Sequence, residues 1–126
     1  MTMIYKTYHF NRWARKALLS DELLHHAVEE MVNGLIDADL GGGIFKKRIA
    51  QPGRGKSGSV RTLLATNRDD RWIFVFGFEK NERANISDKE RDALRMMAKD
   101  LLGLTVTQLQ EAVTEGTLME VADGEK

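Results

Sequence analysis

Hydrophobic residues recur along this chain with two different periods, and each change of period marks an element. In Met3–Phe10, Ile and Tyr are interleaved with Lys and Thr, the alternation of a short strand, which leads into FNRWARKALL, where Asn11 is placed to cap a short helix. Ser20 opens a better helix. Leu23, Leu24, Ala27, Val28, Met31 and Val32 repeat at helical spacing, and Gly34 ends the run. LIDADLGGG reads as a break, with Gly41, Gly42 and Gly43 making a turn that permits positive φ. Three strands are expected next, IFKKRIAQ, SVRTLLATN and RWIFVFGFE, the last a near-continuous apolar run. Their separators, PGRGKSG and RDD, have hairpin length, so the three should pair as an antiparallel meander. Past Asn81–Ser87, Ser87 or Asp88 caps DKERDALRMMAKDLLGL, with a stripe of Leu94, Met97, Ala98, Leu101 and Leu102 ending at Gly103. Met96 and Met97 read as ordinary helix packing. Thr105 or Thr107 begins a last short helix, and TLMEV adds a terminal strand. Helices set at both ends of a small antiparallel sheet make an α+β domain.

At 126 residues the chain fits one domain, expected over residues 1–122, with 123–126 as a frayed tail. There is no cysteine, which excludes disulfides, thiolate metal sites and a cysteine nucleophile, and fits a reducing cytosol. The first residues lack the uninterrupted apolar stretch of a signal peptide, and no apolar run reaches membrane-spanning length, so a soluble cytoplasmic protein with no membrane partner is expected. His9, near the strand-to-helix turn, and His25 and His26, on the second helix, form no grouping with metal-ligand spacing. No metal and no cofactor are expected.

Nineteen basic and nineteen acidic residues cancel, but their distribution does not. Ile44–Lys80 holds nine basic residues against three acidic, a local net of +6, whereas the chain from Glu111 onward has five acids and one base. At the centre of the basic region stands AQPGRGKSGSVR. Its GKS ending is that of a phosphate-binding P-loop, yet Ala50 stands where the strict pattern wants glycine. A P-loop also needs a helix starting at that point, and SGSVRTLLATN has the β-branched content of a strand. The cations carry more meaning than the motif. Lys46 and Arg48 share one face of their strand and Arg61 lies on the next, so Lys and Arg converge around a glycine loop on a sheet. Guanidinium forks and closely approachable backbone amides suit a chain of phosphates.

DADLGGGIFKKRIAQPGRGKSGSVRTLLA, then FVFGFEKNERANISDKE, then a helix of the ALRMMAKDLL kind and a terminal LMEV resemble the RelE/ParE toxin superfamily of bacterial toxin–antitoxin modules, in its HigB-like RelE branch. The resemblance implies a small antiparallel sheet of three to five strands, two N-terminal helices packed on it, and further C-terminal helices. It also implies ribosome-dependent mRNA endonuclease activity. Carried over by position, the basic residues of the family's loop and strands fall on Lys47, Arg54, Lys56 and Arg61, and its strand-end pattern on Phe78 and Lys80. Cutting RNA with its own 2′-hydroxyl requires deprotonation of that hydroxyl, charge stabilisation on the phosphate and protonation of the leaving 5′-oxygen. Arg61, Lys56 and Lys80 are the catalytic candidates, Arg61 as the phosphate clamp and the lysines as a second clamp and proton donor. Lys46, Lys47, Arg48, Arg54, Phe78 and Arg83 are the RNA-binding candidates, with Phe78 placed to stack on a base. The C-terminal tyrosine that some relatives carry in the site has no counterpart, because the tyrosines here are Tyr5 and Tyr8.

The partners implied are mRNA, the ribosome and a cognate antitoxin, a small helix-turn-helix or acidic protein encoded alongside. Two other functions compete: a poison of DNA gyrase without nuclease chemistry, like the ParE side of the superfamily, and a non-catalytic nucleic-acid-binding module.

Overall fold

The run Trp72–Val75 is apolar at every position and buried throughout, which a strand can sustain only with cover on both faces and neighbours on both sides. The computed structural model describes residues 2–53 and 58–122 and places this strand inside a six-stranded sheet. In chain order the elements are β1 (Met3–Thr7), α1 (Tyr8–Lys16), α2 (Asp21–Val32), β2 (Ala38–Gly41), β3 (Ile44–Ala50), β4 (Ser59–Thr66), β5 (Arg71–Glu79), α3 (Asp88–Leu102), α4 (Val106–Glu115) and β6 (Leu118–Glu120). The strands lie in the order β2-β3-β4-β5-β1-β6.

The expected meander of β3, β4 and β5 is present and antiparallel. Three features depart from the sequence expectation. The sheet has six strands rather than three to five, and it is mixed, because β1 pairs in parallel with β5 while β6 pairs antiparallel with β1. The stretch read as a break contains β2, which closes a hairpin onto β3 through Gly42 and Gly43. The first helix begins at Tyr8, capped by Thr7 rather than Asn11, with the Thr7 hydroxyl accepting from the Phe10 N–H at 3.0 Å. The other expected caps form. Ser20 accepts from Leu23 N–H, and Ser87 with Glu90 and Thr105 with Gln108 make full capping boxes.

Helices cover both faces, giving three layers. On one side Phe10 and Ala14 of α1 and Leu24, Ala27, Val28 and Met31 of α2 meet Phe45, Ile49, Val60, Leu64, Trp72 and Phe74. On the other, Leu94 and Ala98 of α3 and Leu109 of α4 meet Ile44, Leu63, Ala65, Ile73 and Val75. The α3 stripe follows Leu94 and Ala98; Met96 is 71% exposed and Met97 41%, so neither packs in the core as expected. A bulge in β5 makes the two-sided burial work. Leu63 faces Phe76 and Leu64 faces Phe74, leaving Val75 over. The extra residue reverses the alternation, so Phe76 joins Ile73 on the α3 side.

Two contacts lock helices to this sheet. The Arg95 Nε of α3 donates to the Leu40 carbonyl at 2.8 Å, and its side chain lies across Gly42, where a Cβ would meet Arg95 Cγ at 2.9 Å. Trp13 of α1 sits directly on Gly77, where an added Cβ would fall 2.2 Å from the indole. Gly77→Ala forces the indole off the sheet, and the expected loss is about 1–3 kcal/mol, the range for overpacking. Urea titration followed by tryptophan fluorescence checks it, and unchanged stability would show that Trp13 shifts freely.

Candidate nucleic-acid interface

Facing residues of an antiparallel ladder share one side of the sheet, which sets the composition of the site row by row. Lys46 of β3 faces Leu63 of β4, which faces Phe76 of β5; two residues further out Arg48 faces Arg61, which faces Phe78. Leu63 and Phe76 belong to the core beneath α3, so that core ends at the first row. The second row is cationic.

Two arginines set opposite one another repel, and the sheet offsets only one of them. Asp37, just before β2, accepts from the Arg48 Nε at 3.2 Å and from its backbone N–H at 2.7 Å. Arg61 is half-buried and donates from Nη1 to the Ser59 hydroxyl at 3.0 Å, and no carboxylate among the described residues pairs with it. A guanidinium that is oriented but not neutralised suits an anionic ligand. Lys46, half-buried on the same side, and Lys80, exposed in the turn after β5, also lack an ion-pair partner among the described residues. Arg54 and Lys56 lie outside the described residues.

The remaining candidates have other employment. Lys47 points to the opposite side, where its Nζ lies 2.9 Å from Glu30 Oε1 of α2 and it is 7% exposed. Strand alternation separates it from Arg61, so this RNA-binding candidate lies on the other face of the sheet. The Lys47 hydrogen bond holds the Glu30 carboxyl below its ordinary pKa. Phe78 is 3% exposed, packed beside the Phe76 ring and 5.8 Å from the Arg83 guanidinium; its face is occupied and does not stand open for a base. Arg83 bonds both oxygens of Glu90 and the Asn85 carbonyl, tying the loop after β5 to the first turn of α3. That network engages the side chain the sequence reading assigned to RNA.

Glu90 is driven down to about 2, first by the Arg83 hydrogen bond and then by the Ser87 backbone N–H. A carboxylate whose folded pKa is depressed contributes stability above its unfolded value of 4.5, and that contribution disappears as pH falls toward 2. Glu90→Gln is therefore expected to flatten the acid limb of stability between those values. Melting temperatures across that pH range check it, and parallel curves for both proteins would show that other carboxylates set the limb.

Acid–base groups near the row are few. His9 is on α1 and His25 and His26 are on α2, the helices of the opposite face. Tyr5 faces the α3 side but is buried, and burial raises its hydroxyl pKa. Asp37 and Glu90 each serve an arginine. Among the described residues no cluster of His, Asp and Glu could hold a metal, and no helix is long and apolar enough to cross a membrane.

Arg61 and Lys46, on one face of the meander and without a carboxylate partner among the described residues, carry charge that an anion can meet. No curated protein matches the chain. The family model described as RelE toxin of the RelE/RelB toxin–antitoxin system matches residues 2–121. The chain belongs to the RelE toxin family, and the toxin role and a cognate antitoxin follow from that membership.

Proposed function

We propose that this protein is a ribosome-dependent mRNA endoribonuclease of the HigB-like RelE branch, and that the second row of the meander grips the scissile phosphate. The observation that carries the reading is Arg61, fixed by Ser59, set opposite Arg48 and left without a carboxylate among the described residues. In the reaction the 2′-oxygen attacks the adjacent phosphorus and gives up its proton, while the bond to the 5′-oxygen breaks and that oxygen takes a proton. The products are a 2′,3′-cyclic phosphate and a 5′-hydroxyl end. Arg61 offsets the charge that builds on the non-bridging oxygens, the term on which such catalysis chiefly depends. Lys80 and Lys56 serve as second clamp and proton donor, with Lys46, Arg48 and Arg54 holding the flanking backbone. Lysines are the acid–base groups left to this face, and ribosomal RNA supplies the rest of the binding energy by backbone contacts.

The antitoxin, a small helix-turn-helix or acidic protein encoded alongside, covers this face by complementary charge.

Controlled expression in bacteria without the antitoxin tests the reading. Growth arrest with new mRNA 5′ ends inside translated regions is the expected result. Arrest with intact mRNA would overturn it in favour of a gyrase poison, and no arrest from soluble protein would leave a binding module.

A further inference from the structure

Several arginines and lysines of this fold are held by partners within it. Lys6, Lys47, Arg48, Arg83, Arg91 and Arg95 are in ion pairs, and Arg71 is held by backbone carbonyls. None of the cations of α1 is held in this way. Its sequence, YHFNRWARK, contains no acid, and Arg12, Arg15 and Lys16 are exposed, with no ion pair or side-chain hydrogen bond among the described residues.

Arg15 and Lys16 lie in the last turn, where a cation is favourable to the helix dipole. That accounts for their position but not for Arg12, one turn earlier. His9, Arg12, Trp13 and Lys16 recur at the spacing of a single helix face and line a shallow cavity of about 350 Å³. Trp13 forms its floor, seated on Gly77, and Tyr8 lies 53% exposed at the start of the helix.

We infer that this outer face of α1 is a second RNA-contact surface, on the side of the sheet opposite Arg61, in which Arg12 and Lys16 hold phosphates and the aromatic-floored groove between them receives a sugar or base. The inference rests on the reading of the protein as an RNA-cutting toxin and extends it. Cations interleaved with aromatic rings suit a polynucleotide, which offers charge and π-faces together, better than an acidic peptide, which offers charge alone. The two surfaces lie on opposite sides of the sheet, so the protein engages two RNA segments at once. One is the strand being cut and the other is an anchor, and only the first requires Arg61.

The test is fluorescence anisotropy with a labelled RNA hairpin over a series of salt concentrations, comparing wild type, Arg61→Ala, Arg12→Gln with Lys16→Gln, and Arg12→Gln alone. Each cation removed from a phosphate contact is expected to lower the salt slope by about 0.7–0.9, so the double variant should lose roughly twice that and bind about tenfold more weakly at low salt. Arg12→Gln alone, outside the last turn, should lose half the slope at unchanged melting temperature. Wild-type affinity and slope in both α1 variants would overturn the inference. So would loss of binding to polyglutamate with RNA binding intact, which would make α1 a protein-docking surface. If the α1 variants lose RNA affinity while Arg61→Ala does not, the anchor stands and the assignment of the cutting site falls.

Discussion

Arg61→Ala is expected to lower cleavage of ribosome-bound mRNA by about a hundredfold or more, the loss typical of removing one preorganised donor from a developing oxyanion. The same substitution should leave the fold intact. Arg61 gives the protein one hydrogen bond, to Ser59, and a repulsive partner in Arg48 across the ladder. Losing both partly cancels, and because Arg61 is only half-buried water meets the Ser59 hydroxyl it leaves, so a net change of about 1 kcal/mol is expected. An activity loss of this size with a melting temperature within a few degrees of wild type therefore separates catalysis from stability. Arg61→Lys refines the result, because an ammonium restores charge without the two-pronged grip, so partial recovery is expected. Single-turnover cleavage of a defined message on ribosomes, read beside a thermal melt, is the measurement. Full activity in Arg61→Ala would move the clamp to another cation of the basic region.

The elements written in strong periodicity or sharp punctuation were legible from the chain. Ser20, Ser87 and Thr105 cap the helices they were expected to cap, and the β3–β4–β5 meander follows from three β-rich runs joined by short polar links. Strand parity was informative too: it placed Lys46 and Arg48 on one face, and the same rule sends Lys47 to the other, where Glu30 meets it. Long-range pairing left weaker traces. Nothing local in MIYKT says that it inserts between β5 and β6, although the unbroken apolar run of β5 requires a neighbour on each side. β2 was hidden because DADLG, followed by glycines, has the composition of a turn. Phe78 and Arg83 looked available because a residue at the end of a strand shows its chemistry in the sequence but not its cover. Here that cover is Phe76 and Glu90.

Arg71, one of the nine basic residues of the cationic stretch, is a structural bolt. It opens β5, is 8% exposed, and its Nη1 donates to the carbonyls of Leu101, Leu102 and Leu104 at 3.1, 3.2 and 2.8 Å. Those carbonyls stand at the C-terminal end of α3, where backbone acceptors lack helical partners and the dipole favours a cation. The Leu101 carbonyl has a second donor, the Leu104 N–H at 3.4 Å, so replacement of Arg71 strands chiefly Leu102 and Leu104. Arg71→Met, which keeps the length of the stem, is expected to cost about 2–4 kcal/mol by leaving part-buried acceptors unmet and removing charge-assisted bonds. The Nε of Arg71 has no partner among the described residues, and methionine relieves that donor, which holds the loss below the sum of three bonds. For a chain of this length the melting temperature should fall by roughly 10 °C. RNA affinity measured below the transition should be unchanged, since the side chain faces α3 and not solvent. A variant that melts as wild type does but binds RNA more weakly would place Arg71 in the interface and leave the end of α3 to be held by its own backbone.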